Sequence, residues 1–123
     1  MPDGKALVTR LVDAANARDW EALLATCTPD VRVVHPLAEA PNQGLDGLRA
    51  FFEESIEALP DQYLHVAAVL AEDDAVALEG RITATLDGET LSIPCAFFFT
   101  LGDDAIQEIR MYYDTAPTGD DEE

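Results

Sequence analysis

The sequence predicts a single α+β domain in which helices pack on one face of an antiparallel sheet. Three observations carry that expectation. Apolar residues recur at helical spacing as far as Pro60, and from residue 63 onward they alternate instead. The alternating runs are divided by short acidic turns, and one of these contains Asp87-Gly88, a hairpin signal.

Taken in order, Asp3 can cap a first helix whose Leu7, Val8, Leu11, Val12 and Ala15 form one apolar stripe. Asp19 can cap a second, short helix carrying Trp20, Leu23, Leu24 and Cys27, which Pro29 ends. Residues 31–35 are rich in β-branched side chains and read as a strand closed by Pro36. A loop with Pro41 and Gly44 leads to a third helix starting near Asp46. That helix sets Leu48, Phe51, Phe52, Ser55, Ile56 and Leu59 on one face, and Pro60 stops it. Four strands follow, over 63–71, 75–86, 90–101 and 105–114, and they must curl if they are to enclose anything. The domain spans 1–116. Residues 117–123, with Asp120, Asp121, Glu122 and Glu123, form an acidic tail expected to be disordered.

A chain of 123 residues can bury a core without disulfide or metal support. No apolar run approaches the roughly 18 residues a membrane span needs. Met1-Pro2-Asp3-Gly4 does not open a secretory signal, and Cys27 and Cys95 lie in apolar segments without paired spacing. They read as reduced, buried thiols of a cytoplasmic protein. With two histidines and no Glu-x-x-His or paired Cys spacing, a dedicated zinc or iron site is not expected. The acidic turns lack the calcium-loop pattern. Asp and Glu number 25 against 7 Lys and Arg, a formal charge of −18, which argues against nucleic acid and anionic membranes as partners. A nucleophile elbow and a phosphate-binding glycine loop are both missing.

Three segments carry a family resemblance. The first is Asn16-Ala17-Arg18-Asp19-Trp20-Glu21-Ala22-Leu23-Leu24. The second is Asp30-Val31-Arg32-Val33-Val34-His35-Pro36, followed by Gly44 and Leu48-Arg49-Ala50-Phe51-Phe52. The third is Ile106-Gln107-Glu108-Ile109-Arg110-Met111-Tyr112-Tyr113-Asp114. In this order they resemble the SnoaL-like and ketosteroid isomerase-like members of the nuclear-transport-factor-two-like superfamily, over nearly the whole chain. The resemblance implies a cone-shaped α+β barrel, with three N-terminal helices on a strongly curved sheet that encloses a pocket. It also implies a homodimer through the outer sheet face.

In ketosteroid isomerases the position matching His35 holds the proton-shuttling base. An imidazole of unperturbed pKa near roughly 6.5 can take that role. The positions matching the oxyanion donors, by an ungapped comparison, are Leu11 and Ala96, and neither side chain can donate. The ketosteroid mechanism is therefore not expected. SnoaL-like cyclases use carboxylates and imidazoles without a cofactor, which makes His35 and Asp114 the acid–base candidates, with Tyr113 orienting the substrate. Strand alternation puts Tyr113 and Asp114 on opposite faces, so Asp114 belongs at the rim or outside.

The same comparison lines the pocket with Leu78, Gly80, Ile82 and Ala84, then Ser92, Pro94, Ala96 and Phe98. Phe52, Ile109, Met111 and Tyr113 complete it, giving an apolar cup for a small hydrophobic molecule. The alternative is a core filled by its own side chains. Glu79, Arg81, Glu108 and Arg110 fall on the other face, where opposite charges can meet across strands. His65 has no support for a role. Three functions stay open: a cofactor-free isomerase or cyclase, a ligand-binding module, and a dimeric assembly domain, because this fold does not fix function.

Overall fold

The carboxylate of Asp3 accepts hydrogen bonds from the backbone N–H of Lys5 and Ala6, and helix α1 runs from there as Gly4–Ala17. The computed structural model describes residues 3–35, 40–102 and 104–113. Arg18 ends α1 in the left-handed region, at φ 62°. Asp19 then caps α2, Trp20–Leu24, by accepting from the N–H of Ala22. The next strand, β1, is Cys27–Val34 and starts earlier than expected. Pro29 therefore does not end the helix. It lies in the stretch where the β1 register is broken, so its missing N–H interrupts no regular ladder.

A two-residue strand, β2 (Asn42–Gln43), stands where a loop was expected, and α3 follows as Gly44–Ala58. The meander is β3 (Tyr63–Glu72), β4 (Ala75–Leu86), β5 (Glu89–Gly102) and β6 (Ala105–Tyr113). Asp87 and Gly88 both take positive φ, at 53° and 81°, as a tight two-residue hairpin requires. The six strands are ordered β2-β1-β6-β5-β4-β3. Every pair is antiparallel except β1 and β6, which run parallel. The expected cone of three helices on a curved, mainly antiparallel sheet is what the structure shows; β2 and β3 are its edges, so the sheet is curled and not closed.

The curl has a local cause. β3 carries a bulge between Val66 and Ala68, opposite Gly80 of β4. A Cβ on Gly80 would run into the carbonyl oxygen of His65, so only glycine lets the two backbones approach. A second irregularity, between Thr100 and Leu101, bends β5 against β6.

The α1 stripe packs into the concave side. Leu7, Val8, Leu11 and Val12 are buried in one cluster with Leu23, Val31, Val33, Leu48, Leu78, Phe99 and Ile109. The facing of β5 differs from expectation by one residue. Leu78 pairs with Phe97 and Ile82 with Ile93, and directly opposed residues share a face. Leu91, Cys95, Phe97 and Phe99 are accordingly buried, while Ser92, Pro94 and Phe98 are exposed. The residues that point inward are the more apolar set of the strand, so burial decided the facing. Both cysteines are free and buried.

On the outer face Glu108 meets Arg32 at 3.2 Å and Arg110 at 3.5 Å. Glu79 and Arg81 lie opposite Ala96 and Pro94 instead of opposite charges, and Arg81 donates to the Ser92 hydroxyl. Among the described residues, no helix is long and apolar enough to cross a membrane.

Candidate functional site

Between α1, α3 and the concave sheet lies a cavity of about 580 Å³, within the usual range for a small-molecule site. Ile82, Ile93, Phe97, Ile109 and Met111 line it from the sheet. Leu11, Val12 and Ala15 line it from α1, and Phe51, Phe52, Ile56 and Leu59 from the α3 side. Strand alternation explains the apolar floor, since every second side chain of β4, β5 and β6 turns inward. Trp20 extends the aromatic wall, its ring centroid 6.1 Å from that of Phe52, which itself meets Phe51 edge-on at 5.2 Å.

Most polar side chains in the lining are engaged in holding the wall together. Arg18 donates to the carbonyl oxygens of Ala15, Asn16, Pro60 and Gln62, the last two at 2.9 and 2.7 Å. Asn16 pairs with the backbone of Leu64 in both directions, donating at 3.1 Å and accepting at 2.9 Å. Gln62 donates to the carbonyl and hydroxyl oxygens of Ser55. Together they fasten the end of α1 to the corner between α3 and the edge strand β3. In sequence, Asn16-Ala17-Arg18 shows only the junction of two helices. Its partners lie more than 40 residues away, beyond any local pattern.

His35 sits just past the end of β1. Its ring is 4.6 Å from that of Phe51, and its Nδ1 is buried with no hydrogen-bond partner among the described residues. Tyr113 ends β6 and is half-buried, and burial pushes its phenol above the ordinary tyrosine range. Both line the cavity.

Of the residues expected at the site, His35, Tyr113, Phe52, Ile82, Ile109 and Met111 come together around the cavity. Leu78 is buried in the core next to it without reaching the lining. Ala96 and Phe98 are corrected. Both turn outward with the β5 register, and Phe98 packs against Tyr112 and under the Arg110 guanidinium. Asp114 lies outside the described residues, as does the acidic tail. Ile93 and Phe97 take the inward places, and their alternation with Leu91 and Phe99 was the signal for them. His65 is on the outer face, 2.9 Å from the Thr83 hydroxyl. Among the described residues, His, Cys, Asp and Glu side chains form no group of three or more able to hold a metal.

Three helices on a curled, mainly antiparallel sheet with an apolar cavity between them define the nuclear-transport-factor-two-like fold. A protein of that fold from Burkholderia pseudomallei, of unknown function, superposes with a TM-score of 0.85 at 20% identity over 94% of both chains. The SnoaL-like domain family model matches residues 8–120, and the chain belongs to that family. A protein from Jannaschia sp. CCS1, provisionally assigned as a SnoaL-like polyketide cyclase, is similar at 26% identity. Its TM-score is 0.81, over 89% of this chain and 83% of that one. IdmH from Streptomyces antibioticus, also a provisional polyketide cyclase, has a TM-score of 0.79 at 20% identity, over 89% and 91%. Comparison with curated protein sequences gives no match.

Proposed function

We propose that this chain is a cofactor-free isomerase or cyclase that holds a small hydrophobic molecule in the cavity and acts on it by acid–base chemistry at His35. The observation that carries the reading is the division of labour among the polar groups. Arg18, Asn16, Asn42, Ser55 and Gln62 are bonded within the protein, whereas His35, Tyr113 and Glu54 line the void without a hydrogen-bond partner among the described residues. Such a site recognises a mostly apolar body with one polar function. The provisional cyclase assignment of the Jannaschia relative supports the same class of chemistry.

A ligand-binding module without turnover is the second reading. It is favoured by Leu11, which lines the cavity with no donor, and by Ala96, which faces away from it. Native mass spectrometry of the purified chain is the first test. A copurifying apolar molecule supplies the substrate candidate, and His35→Ala then separates the readings. Lost turnover with retained affinity supports catalysis; binding without turnover in the unaltered protein leaves the module.

The partner proposed is a second copy across the outer sheet face. There Leu70 is 70% and Tyr112 51% exposed, beside Phe98 and the Arg32–Glu108–Arg110 group. A cytoplasmic setting is supported by the two free thiols, and the charge of −18 opposes nucleic acid and anionic membranes as partners.

A further inference from the structure

The mouth of the cavity differs in charge from its apolar floor. Phe51, Glu54 and Ala58 stand at i, i+3 and i+7 of α3, along one ridge, and all three belong to the lining. Phe51 is half-buried, whereas Glu54 and Ala58 are exposed. The ridge is therefore a rim, with the Phe51 ring on its inner side and the Glu54 carboxylate at the opening.

That carboxylate has no ion-pair partner among the described residues. The one arginine of α3, Arg49, is held by the neighbouring Glu53 at 3.0 Å. Arg18, the guanidinium of the lining, donates to four backbone carbonyl oxygens and has no fork left for an acidic group. A second acceptor stands in the same lining. Asn42 donates from its amide nitrogen to the carbonyl oxygen of Gly47, which leaves its own amide oxygen to accept. A carboxylate, an amide oxygen and an aromatic face are three groups that receive an ammonium, and none of them attracts an anion. The formal charge of −18 acts in the same direction, drawing cations to the surface and repelling acids.

We infer that the cavity takes a hydrophobic amine, bound as its ammonium form by Glu54 at the rim while the apolar body lies against Ile82, Phe97 and Met111. This rests on the pocket reading above and adds a substrate class to it. Glu54 is a specificity-determining residue in that reading, and His35 and Tyr113 keep the roles given there.

The test measures the affinity of the full chain for three probes that share one ring system: 2-naphthylethylamine, 2-naphthylethanol and 2-naphthylacetate. Near pH 8 a primary alkylamine carries its proton and an ordinary imidazole is neutral. At about 0.01 M salt the amine is expected to bind about fivefold or more tighter than the alcohol, with the acid weakest. The advantage should shrink at about 1 M salt, where the charges are screened. In Glu54→Gln the amine loses about fivefold while the alcohol is unchanged. Glu57→Gln removes a carboxylate from the same helix outside the lining, and it should keep the preference. Both positions are exposed, so neither replacement disturbs the core.

Equal affinity for amine and alcohol in the unaltered protein overturns the selection for a cation. A preference that survives in Glu54→Gln, or that falls equally in Glu57→Gln, overturns the assignment to the rim carboxylate. Failure of all three probes to bind overturns the apolar-pocket reading and this inference with it, an outcome distinct from binding without discrimination.

Discussion

Burial holds the thiols of Cys27 and Cys95 well above their ordinary value of 9.0, each at about 11, and raises the phenol of Tyr113 in the same direction. In every case desolvation of the charged form is the leading cause. A folded-state pKa raised above the unfolded one means that the native state keeps its protons longer. The stability this contributes is fully present below the unfolded pKa and is lost as pH rises towards the folded one. Thermal melts should therefore show a Tm that falls between pH values of about 9 and 11, the interval set by the two thiols. Replacing both cysteines with alanine should flatten that fall, whatever it does to Tm at neutral pH. An equally steep fall in the double variant would assign the alkaline sensitivity elsewhere. Site residues were legible to different depths at this scale. His35 and Tyr113 could be placed at the cavity because a family pattern fixed their positions at the ends of strands. Ala96 and Phe98 point inward only in an ungapped family match, which disagrees with the strand's own alternation, in which Leu91, Ile93, Phe97 and Phe99 are the apolar set. The burial of Nδ1 was not legible at all, since it depends on neighbours brought in by folding.

Among the elements, the β3–β4 pair and the end of α1 decide the shape of the cavity. Gly80 sits opposite the β3 bulge with its α-carbon against the His65 carbonyl, so Gly80→Ala must push the strands apart or flatten the bulge. Overpacking of this kind typically destabilises by about 1–3 kcal/mol. The expected result is a lower urea midpoint together with weaker ligand binding, and an unchanged midpoint would show that the bulge does not depend on the close approach. Asn16 acts differently. Its amide supplies a donor and an acceptor to Leu64 on an edge strand that has no further neighbour in the sheet. Asn16→Ala removes both bonds, a loss of about 1–3 kcal/mol if the backbone groups are left without water. Hydrogen exchange of the Leu64 amide is the sensitive measurement. Exchange should speed up there before the strand interior is affected, and unaltered protection would mean that the strand holds its position without the clasp. The long meander strands and the first and third helices were legible from periodicity, capping and turns. β2 was not, because two residues carry no period, and the clasp was not, because its bonds join segments remote in sequence.

For the whole molecule the dominant fact is the imbalance of 25 acidic against 7 basic residues. The ion pairs of the described residues are Arg32–Glu108, Arg110–Glu108 and Arg49–Glu53, all with their arginines substantially exposed. Pairs of that kind contribute little, so most carboxylates repel one another across the surface without compensation. Screening should relieve the repulsion. The Debye length falls from about 30 Å at 0.01 M salt to about 3 Å at 1 M, and Tm should rise over that range. The same field acts between two copies, because pairing brings two strongly negative bodies together. Outer-face association through Leu70, Phe98 and Tyr112 should therefore strengthen with salt, as apolar contacts persist while the repulsion is screened. Sedimentation at 0.05 and 1 M sodium chloride checks both the stoichiometry and the sign. A dimer that tightens with salt, and that is lost in Leu70→Asp, agrees with an apolar contact working against a repulsive field. A dimer that dissociates with salt would instead be held by Arg32, Glu108 and Arg110, and would move the interface from the apolar patch to the charged group beside it.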